Sequence, residues 1–258
     1  MIYLIYILSA LAGGILVGMA GLTAAMVLTP ILCGACGWTG YDAVTMSLVA
    51  NVPSAILTSY TYYKNGNVDM KRGTSVALAS FAGAIVGSYL GYLFSQVSEN
   101  GVSYLVIIGN LTMAVKFLRP GKVKEQKETL TAAEEAKAKR KIVIAMLLGF
   151  LIGVECGFMG SAGGVLMLMV LSLVLGMDTK MAVGTSSLVM TLVALTGAVS
   201  HLMMGASLEM IPAVLITLTC TVGAVVSSKF ANKVEDKVMN RAAGIVLILV
   251  SIVSWVLS

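Results

Sequence analysis

The fold class this sequence predicts is an all-α integral membrane protein of two inverted structural repeats, each a glycine-broken hairpin followed by three transmembrane helices. Three observations predict it. Hydrophobic residues make up 58% of the chain and charged residues 11%, with a mean hydropathy of +0.96, a balance that suits a multi-span membrane protein and not a soluble domain of this length. Moved by 139 positions, Gly14, Gly18, Gly21, Gly37 and Gly66 fall on Gly153, Gly157, Gly160, Gly176 and Gly205, and Ala43, Val44, Ser47 and Ala55 fall on Ala182, Val183, Ser186 and Ala194, which marks an internal duplication. The basic residues gather in a few short connections, a pattern that reports membrane orientation and not nucleic-acid binding.

The repeats are expected at residues 1–118 and 142–258, joined by a linker at 119–141. The first apolar run, 2–36, has no positively charged start and outlasts the core of a secretion signal, so it is expected to stay on the protein. As one helix its roughly 35 residues would reach ~52 Å, against a hydrocarbon core of ~30 Å. It is therefore a strongly kinked span or a hairpin, re-entrant or of two short spans, with its break at Gly18-Met19-Ala20-Gly21. Runs at 41–63, 73–95 and 102–118 follow. The linker, rich in Lys, Glu and Ala after Pro120-Gly121, reads as a solvated helix or loop, with a lipid-headgroup or regulatory contact as the weaker reading. The run 142–176 repeats the first, breaking at Gly157-Phe158-Met159-Gly160, and 179–204, 210–228 and 242–258 complete the second half.

Lysine and arginine choose between kink and hairpin. If both long runs turn back, all 17 basic residues lie on one side, and Asp42, Glu99 and Glu209 mark the connections of the other. If each run crosses once, Lys180 and the group from Lys229 to Arg241 move outside. The positive-inside tendency selects the hairpins. The halves are then inverted, with the linker cytoplasmic and both termini outside, in the inner (plasma) membrane. Irregular backbone at the tips favours burial in protein near mid-membrane.

Gly160-Ser161-Ala162-Gly163-Gly164 is the leading site candidate. Glycines let backbone approach a ligand, and a helix restarting there aims free N–H groups and its positive dipole end at an anion. Its counterpart is Gly21-Leu22-Thr23-Ala24-Ala25. The pairs Gly14/Gly18 and Gly153/Gly157 read instead as helix-packing positions. Thr45 and Ser47, and Thr185, Ser186 and Ser187, cluster hydroxyls at the start of the following span in each half, where they can hold an oxyanion or bond their own i−4 carbonyls. Asn51, two residues before Pro53, adds a mid-span polar group and a kink.

Glu155, the one carboxylate deep in an apolar run, is a proton-coupling candidate, weighed evenly against a carboxylate facing cytoplasmic water. His201, the only histidine, is the second such candidate, as a relay or gate, although packing at the membrane interface is the favoured reading. One histidine builds no metal site. Cys33, Cys36, Cys156 and Cys220 sit in apolar runs as packing residues and imply no disulfide framework. With no Walker loop, haem-ligand pair, nucleophile elbow or metal cluster, neither an enzyme nor a cofactor is expected.

The duplicated glycine pattern at Gly14, Gly18 and Gly21 and at Gly153, Gly157 and Gly160, together with Ser161-Ala162-Gly163-Gly164, Ala182-Val183-Gly184-Thr185-Ser186 and His201 followed by Gly205, resembles the sulfite exporter TauE/SafE family of permeases. The resemblance covers nearly the whole chain. It implies secondary transport of a small sulfur oxyanion or organosulfonate such as sulfite, sulfoacetate or thiosulfate. The first half departs from it, with Leu22-Thr23-Ala24-Ala25 opposite Ser161-Ala162-Gly163-Gly164.

The expected function is thus a permease working by alternating access, its partners a small anion, the bilayer, a coupling proton and, as a further admissible one, a second copy of the chain. An anion channel is the alternative within transport. A membrane thiol or sulfur relay using the cysteines is the alternative outside it. A scaffold role has only the linker to offer a partner.

Overall fold

The computed structural model describes residues 2–97, 132–160 and 163–235 and residue 245, with side chains in the second block from residue 138. They form eight helices: α1 (Ile2–Ala20), α2 (Ala25–Cys36), α3 (Gly40–Lys64), α4 (Met70–Ser95), α5 (Ala132–Met159), α6 (Gly163–Leu173), α7 (Thr179–Met203) and α8 (Met210–Ala231). Helices α1, α3, α4, α7, α8 and the Ala138–Met159 part of α5 are long and apolar enough to cross a membrane. The chain is an all-helical, multi-pass membrane protein. The expected runs 102–118 and 242–258, and the linker before residue 132, lie outside the described residues; from Ala132 the linker is already helical and continues into the span.

Both long apolar runs turn back on themselves. Trp38 Nε1 donates to Tyr6 Oη at 3.2 Å, which brings the end of α2 beside the start of α1. The arms are unequal, however, unlike a pair of short spans. With 19 residues α1 is span-length, whereas α2 and α6, with 12 and 11, reach only about 17 Å. The reason lies in the glycines. Gly14 and Gly18 stay helical because α8 approaches them so closely that a Cβ on Gly14 would meet the Cys220 carbonyl, and one on Gly18 the Ala224 carbonyl and Ser227 Oγ. The helix ends only at Gly21, whose φ of 62° lies in the left-handed region.

The same packing recurs in the second half. Gly153 and Gly157 of α5 take the backbone of Ser80 and Ala84, and Gly83 and Gly87 of α4 take that of Phe150 and Val154. Partners exchange between the halves for the long spans, α1 on α8 as α5 on α4 and α3 on α8 as α7 on α4, while α2 packs on α3 and α6 on α7 within each half. The positive-φ glycines among the described residues are Gly21, Gly37 and Gly66 and, in the repeat register, Gly160, Gly176 and Gly205. Helices α3 and α7, equivalent in that register, pack antiparallel. Thr45 near the start of α3 bonds His201 near the end of α7, while Tyr62 near the end of α3 lies against Gly184 near the start of α7.

Charge separates along this axis. One end gathers Asn67, Asp69, Arg72, Lys180 and Asn232. There Lys180 Nζ donates to the Asn232 carbonyl at 3.2 Å, Asn67 Nδ2 to Asn232 Oδ1 at 2.9 Å, and the Asp69 N–H to Thr185 Oγ1 at 3.0 Å. At the other end Asp42 accepts the Ser207 N–H at 2.9 Å and, with Glu209, Tyr6 and Trp38, borders a cleft of about 400 Å³. Thr39 caps α3 there by accepting the Asp42 N–H. Leu78, Phe81, Ile85, Leu147, Leu151, Leu218 and Val222 point outward, while Thr45, Ser47, Asn51, Thr58 and Ser186 are buried, so the apolar surface faces lipid and the hydroxyls face protein.

Candidate functional site

The two hairpin tips cross at the centre of the helix packing. A Cβ on Gly164 would stand 2.6 Å from the Gly21 carbonyl oxygen and from Leu22 Cα, and a Cβ on Gly160 would stand 3.3 Å from Ala25 Cβ. In the repeat register these are one contact made twice, since Gly21 corresponds to Gly160 and Ala25 to Gly164. Backbone can approach backbone this closely because the chain turns at positive-φ glycines, Gly21 and Gly160. The crossing brings the N-terminal ends of α2 and α6 together. Each carries the positive end of a helix dipole, and at α2 the first N–H groups are taken up locally, Ala24 by Asn51 Oδ1, Met26 by the Thr23 carbonyl and Val27 by the Ala24 carbonyl.

The opposite polarity is covered by protein donors. A helix leaves its last carbonyls unpaired. At the end of α1, Gly21 N–H donates to the Val17 carbonyl at 3.0 Å, and Tyr62 Oη donates to the Gly18 and Met19 carbonyls at 3.2 and 3.4 Å. At the end of α5, Gly160 N–H donates to the Cys156 carbonyl at 2.8 Å, and His201 Nε2 to the Gly157 carbonyl at 2.8 Å. A carbonyl only accepts, so Nε2 carries a proton. His201 Nδ1 meets Thr45 Oγ1 at 3.0 Å, and the imidazole stacks on Tyr41 with centroids 4.5 Å apart. His201 is fully buried in protein, near the end of α7.

The predicted hydroxyls divide. Ser186 Oγ reaches the Gly21 carbonyl at 3.3 Å and so touches the first tip. Ser47 meets Thr29 Oγ1 of α2 at 3.3 Å and also bonds the Ala43 carbonyl; Ser187 bonds the Val183 carbonyl and Thr45 the Tyr41 carbonyl. Thr185 faces the start of α4, not the tips. Thr23 is buried at the first tip, and Ser161 lies outside the described residues.

Asn51 comes closest to a ligand-seeking group. It is 1% exposed, its Oδ1 accepts the Ala24 N–H at 3.2 Å, and its Nδ2 is buried without a hydrogen-bond partner. The amide thereby converts a backbone donor at the head of α2 into a side-chain donor beside it. The repeat counterpart of Asn51 is Met190, an apolar core residue, so the two tips differ chemically. Glu155 stands at the second tip, its Oε2 3.6 Å from where a Gly163 Cβ would lie, and Cys156 Sγ underlies the same glycine.

Tyr62, Tyr41 and Thr29 were not predicted as site residues. Tyr62 was within reach, since the repeat register aligns it with His201. Tyr41 and Thr29 had no such signal, because a ring stacked on a distant histidine and a hydroxyl facing another helix depend on tertiary packing.

Span-length helices around two crossed half-helices, with carbonyl ends covered and N–H ends facing one another, define a membrane transporter. The chain matches the Sulfite exporter TauE/SafE family over residues 6–254 and belongs to that family. It is 27% identical over 219 residues to the Probable membrane transporter protein YunE of Bacillus subtilis (strain 168), covering 81% of this chain and 78% of that protein. It is 26% identical over 207 residues to the Probable membrane transporter protein YdhB of the same organism, covering 78% and 79%. No solved structure gives a significant match.

Proposed function

We propose that the protein is a secondary transporter for a small sulfur oxyanion or organosulfonate, with sulfite the first candidate. The observation that carries this reading is the crossing of the tips through Gly164 and Gly21. It sets the positive ends of two helix dipoles beside each other while Tyr62 and His201 occupy the carbonyl ends. Asn51 Nδ2 adds a buried donor at α2, and Ser186 borders the first tip. The family name supplies sulfite; the geometry by itself supports an anion of a few atoms.

In this reading the halves 1–118 and 142–258 are inverted in the inner membrane. Antiparallel α3 and α7 and the separation of Lys180 and Arg72 from Asp42 and Glu209 support that orientation. The basic end and the linker are cytoplasmic, and both termini are outside. Alternating access exchanges the exposure of the two tips, with Glu155 as the proton-coupling site.

The test is thermal stabilisation of the purified protein by sulfite, thiosulfate, sulfoacetate and taurine, with sulfate and carboxylates as controls. Ligand at about 100 times its Kd stabilises by about 2.7 kcal/mol. Asn51→Asp keeps the acceptor for the Ala24 N–H but replaces the amide donor by a negative charge, and it is expected to abolish the shift. No stabilisation by any sulfur anion, or an equal one by carboxylates, overturns the substrate assignment.

A further inference from the structure

We propose that Tyr62 and His201 are paired positioning residues, one latch for each hairpin, and that each tip leaves its seat only when its own latch lets go. The consequence for transport rests on the alternating-access reading above; the latch itself does not. Each side chain is fully buried, and each comes from the span that follows the hairpin it holds. Each donates to a carbonyl in the last turn before the break, Gly18 and Met19 for Tyr62, Gly157 for His201. Latch and acceptor are displaced by the same 139 positions that relate the halves. The glycine at each acceptor also serves a close helix contact, since a Cβ on Gly18 would strike α8 and one on Gly157 would strike α4. A latch on that residue therefore fixes the depth of the tip and its seat on the neighbouring helix together.

The latches are chemically unequal. Tyr62 offers one rotatable hydroxyl shared between two carbonyls. His201 is held on three sides, by the Gly157 carbonyl, by Thr45 Oγ1 and by the ring of Tyr41. Thr45 and Tyr41 belong to α3, in the other half of the chain, so the second hairpin is tied to the first half through His201. A buried carbonyl that loses its donor is costly in the seated state. Deleting a latch removes that cost from tip opening, which raises the open fraction by about tenfold or more.

The chain carries its own reporter. Cys156 precedes the His201 acceptor, is 1% exposed and lies under Gly163. Its counterpart at the first tip is Val17, equally buried. With Cys33, Cys36 and Cys220 replaced by Ala, alkylation of Cys156 by a soluble maleimide reports opening of the second tip. Val17→Cys, with all four cysteines replaced, reports the first. His201→Phe is expected to speed Cys156 labelling about tenfold and to leave Val17→Cys unchanged; Tyr62→Phe is expected to do the reverse. His201→Tyr, which installs the first-half latch on the second hairpin, is expected to restore slow Cys156 labelling. If both deletions speed both reporters alike, or if His201→Phe leaves Cys156 as slow as the parent, the latch assignment is wrong.

Should the phenylalanine variants fail to fold, the unmodified protein still decides. His201 is the only histidine in the sequence, so a ¹⁵N-histidine spectrum reports one ring. The latch requires a proton on Nε2, and Thr45→Ala is expected to shift the Nδ1 signal. A neutral ring protonated on Nδ1 and bare on Nε2 overturns it. Neither measurement needs a substrate, so failure to find a transported sulfur anion would leave this test standing.

Discussion

A Cβ on Gly164 would stand 2.6 Å from the carbonyl oxygen of Gly21, closer than real Cβ atoms come to another backbone. The contact joins residues from opposite halves at the two chain breaks.

Gly164→Ala should therefore destabilise the protein by about 1–3 kcal/mol, because its neighbour is backbone and cannot rotate away. Gly37 gives the comparison. Its φ is 70° but nothing lies within 4 Å of a Cβ there, so Gly37→Ala should cost only the left-handed strain, about 1–2 kcal/mol. The two substitutions separate in transport: Gly164→Ala should reduce it beyond its effect on folding, and Gly37→Ala should leave the rate per folded molecule intact. Unfolding in detergent together with flux in proteoliposomes measures both. Equal flux per folded molecule for the two variants would remove the tip contact from the mechanism.

Much of this was legible in the sequence, for identifiable reasons. The hairpins were, because runs of that length outlast one straight span and because the placement of the basic residues favours a turn over a kinked crossing. Gly14, Gly18, Gly153 and Gly157 were legible as packing positions, since spacing by four puts them on one helix face. The unequal arms were not, because Gly14, Gly18 and Gly21 look alike until a neighbouring helix decides which of them stay helical. Hydroxyl clusters told less than their density suggested. Thr45, Ser47, Ser186 and Ser187 all bond carbonyls of their own helix, and of these only Ser186 also reaches a tip. His201 looked interfacial because it stands near the end of its span. It is buried because the second hairpin ends beside it, a relation that no local pattern encodes.

Glu155→Gln tests the coupling proposal. The amide keeps the shape and removes the ionisable carboxyl beside Gly163. Transport of sulfite by the unmodified protein should vary across the neutral pH range and respond to an imposed proton gradient; that of Glu155→Gln should do neither, at similar expression. A variant with the parent's pH profile would exclude Glu155 as the coupling group.

Orientation is open to chemistry from outside the cell. On a cysteine-free background, cysteine at position 209 should react with a membrane-impermeant thiol reagent, and cysteine at position 180 or 233 should not. Ready labelling at position 233 from outside would end the inverted-repeat account. The same background separates a carrier from a thiol relay. Cys33 and Cys36 pack in one apolar cluster with Cys220, whereas Cys156 packs in another, so replacing all four should leave transport at a large fraction of the parent rate. Loss of transport with normal expression would favour sulfur chemistry on the cysteines.

The most direct measurement is sulfite counterflow in proteoliposomes. Vesicles loaded with unlabelled sulfite and diluted into labelled sulfite should accumulate label transiently, because a site open to one side at a time exchanges its contents. Asn51→Asp should abolish that overshoot while preserving the fold. Equilibration without an overshoot would point to a pore, and no uptake above empty vesicles would contradict the account altogether.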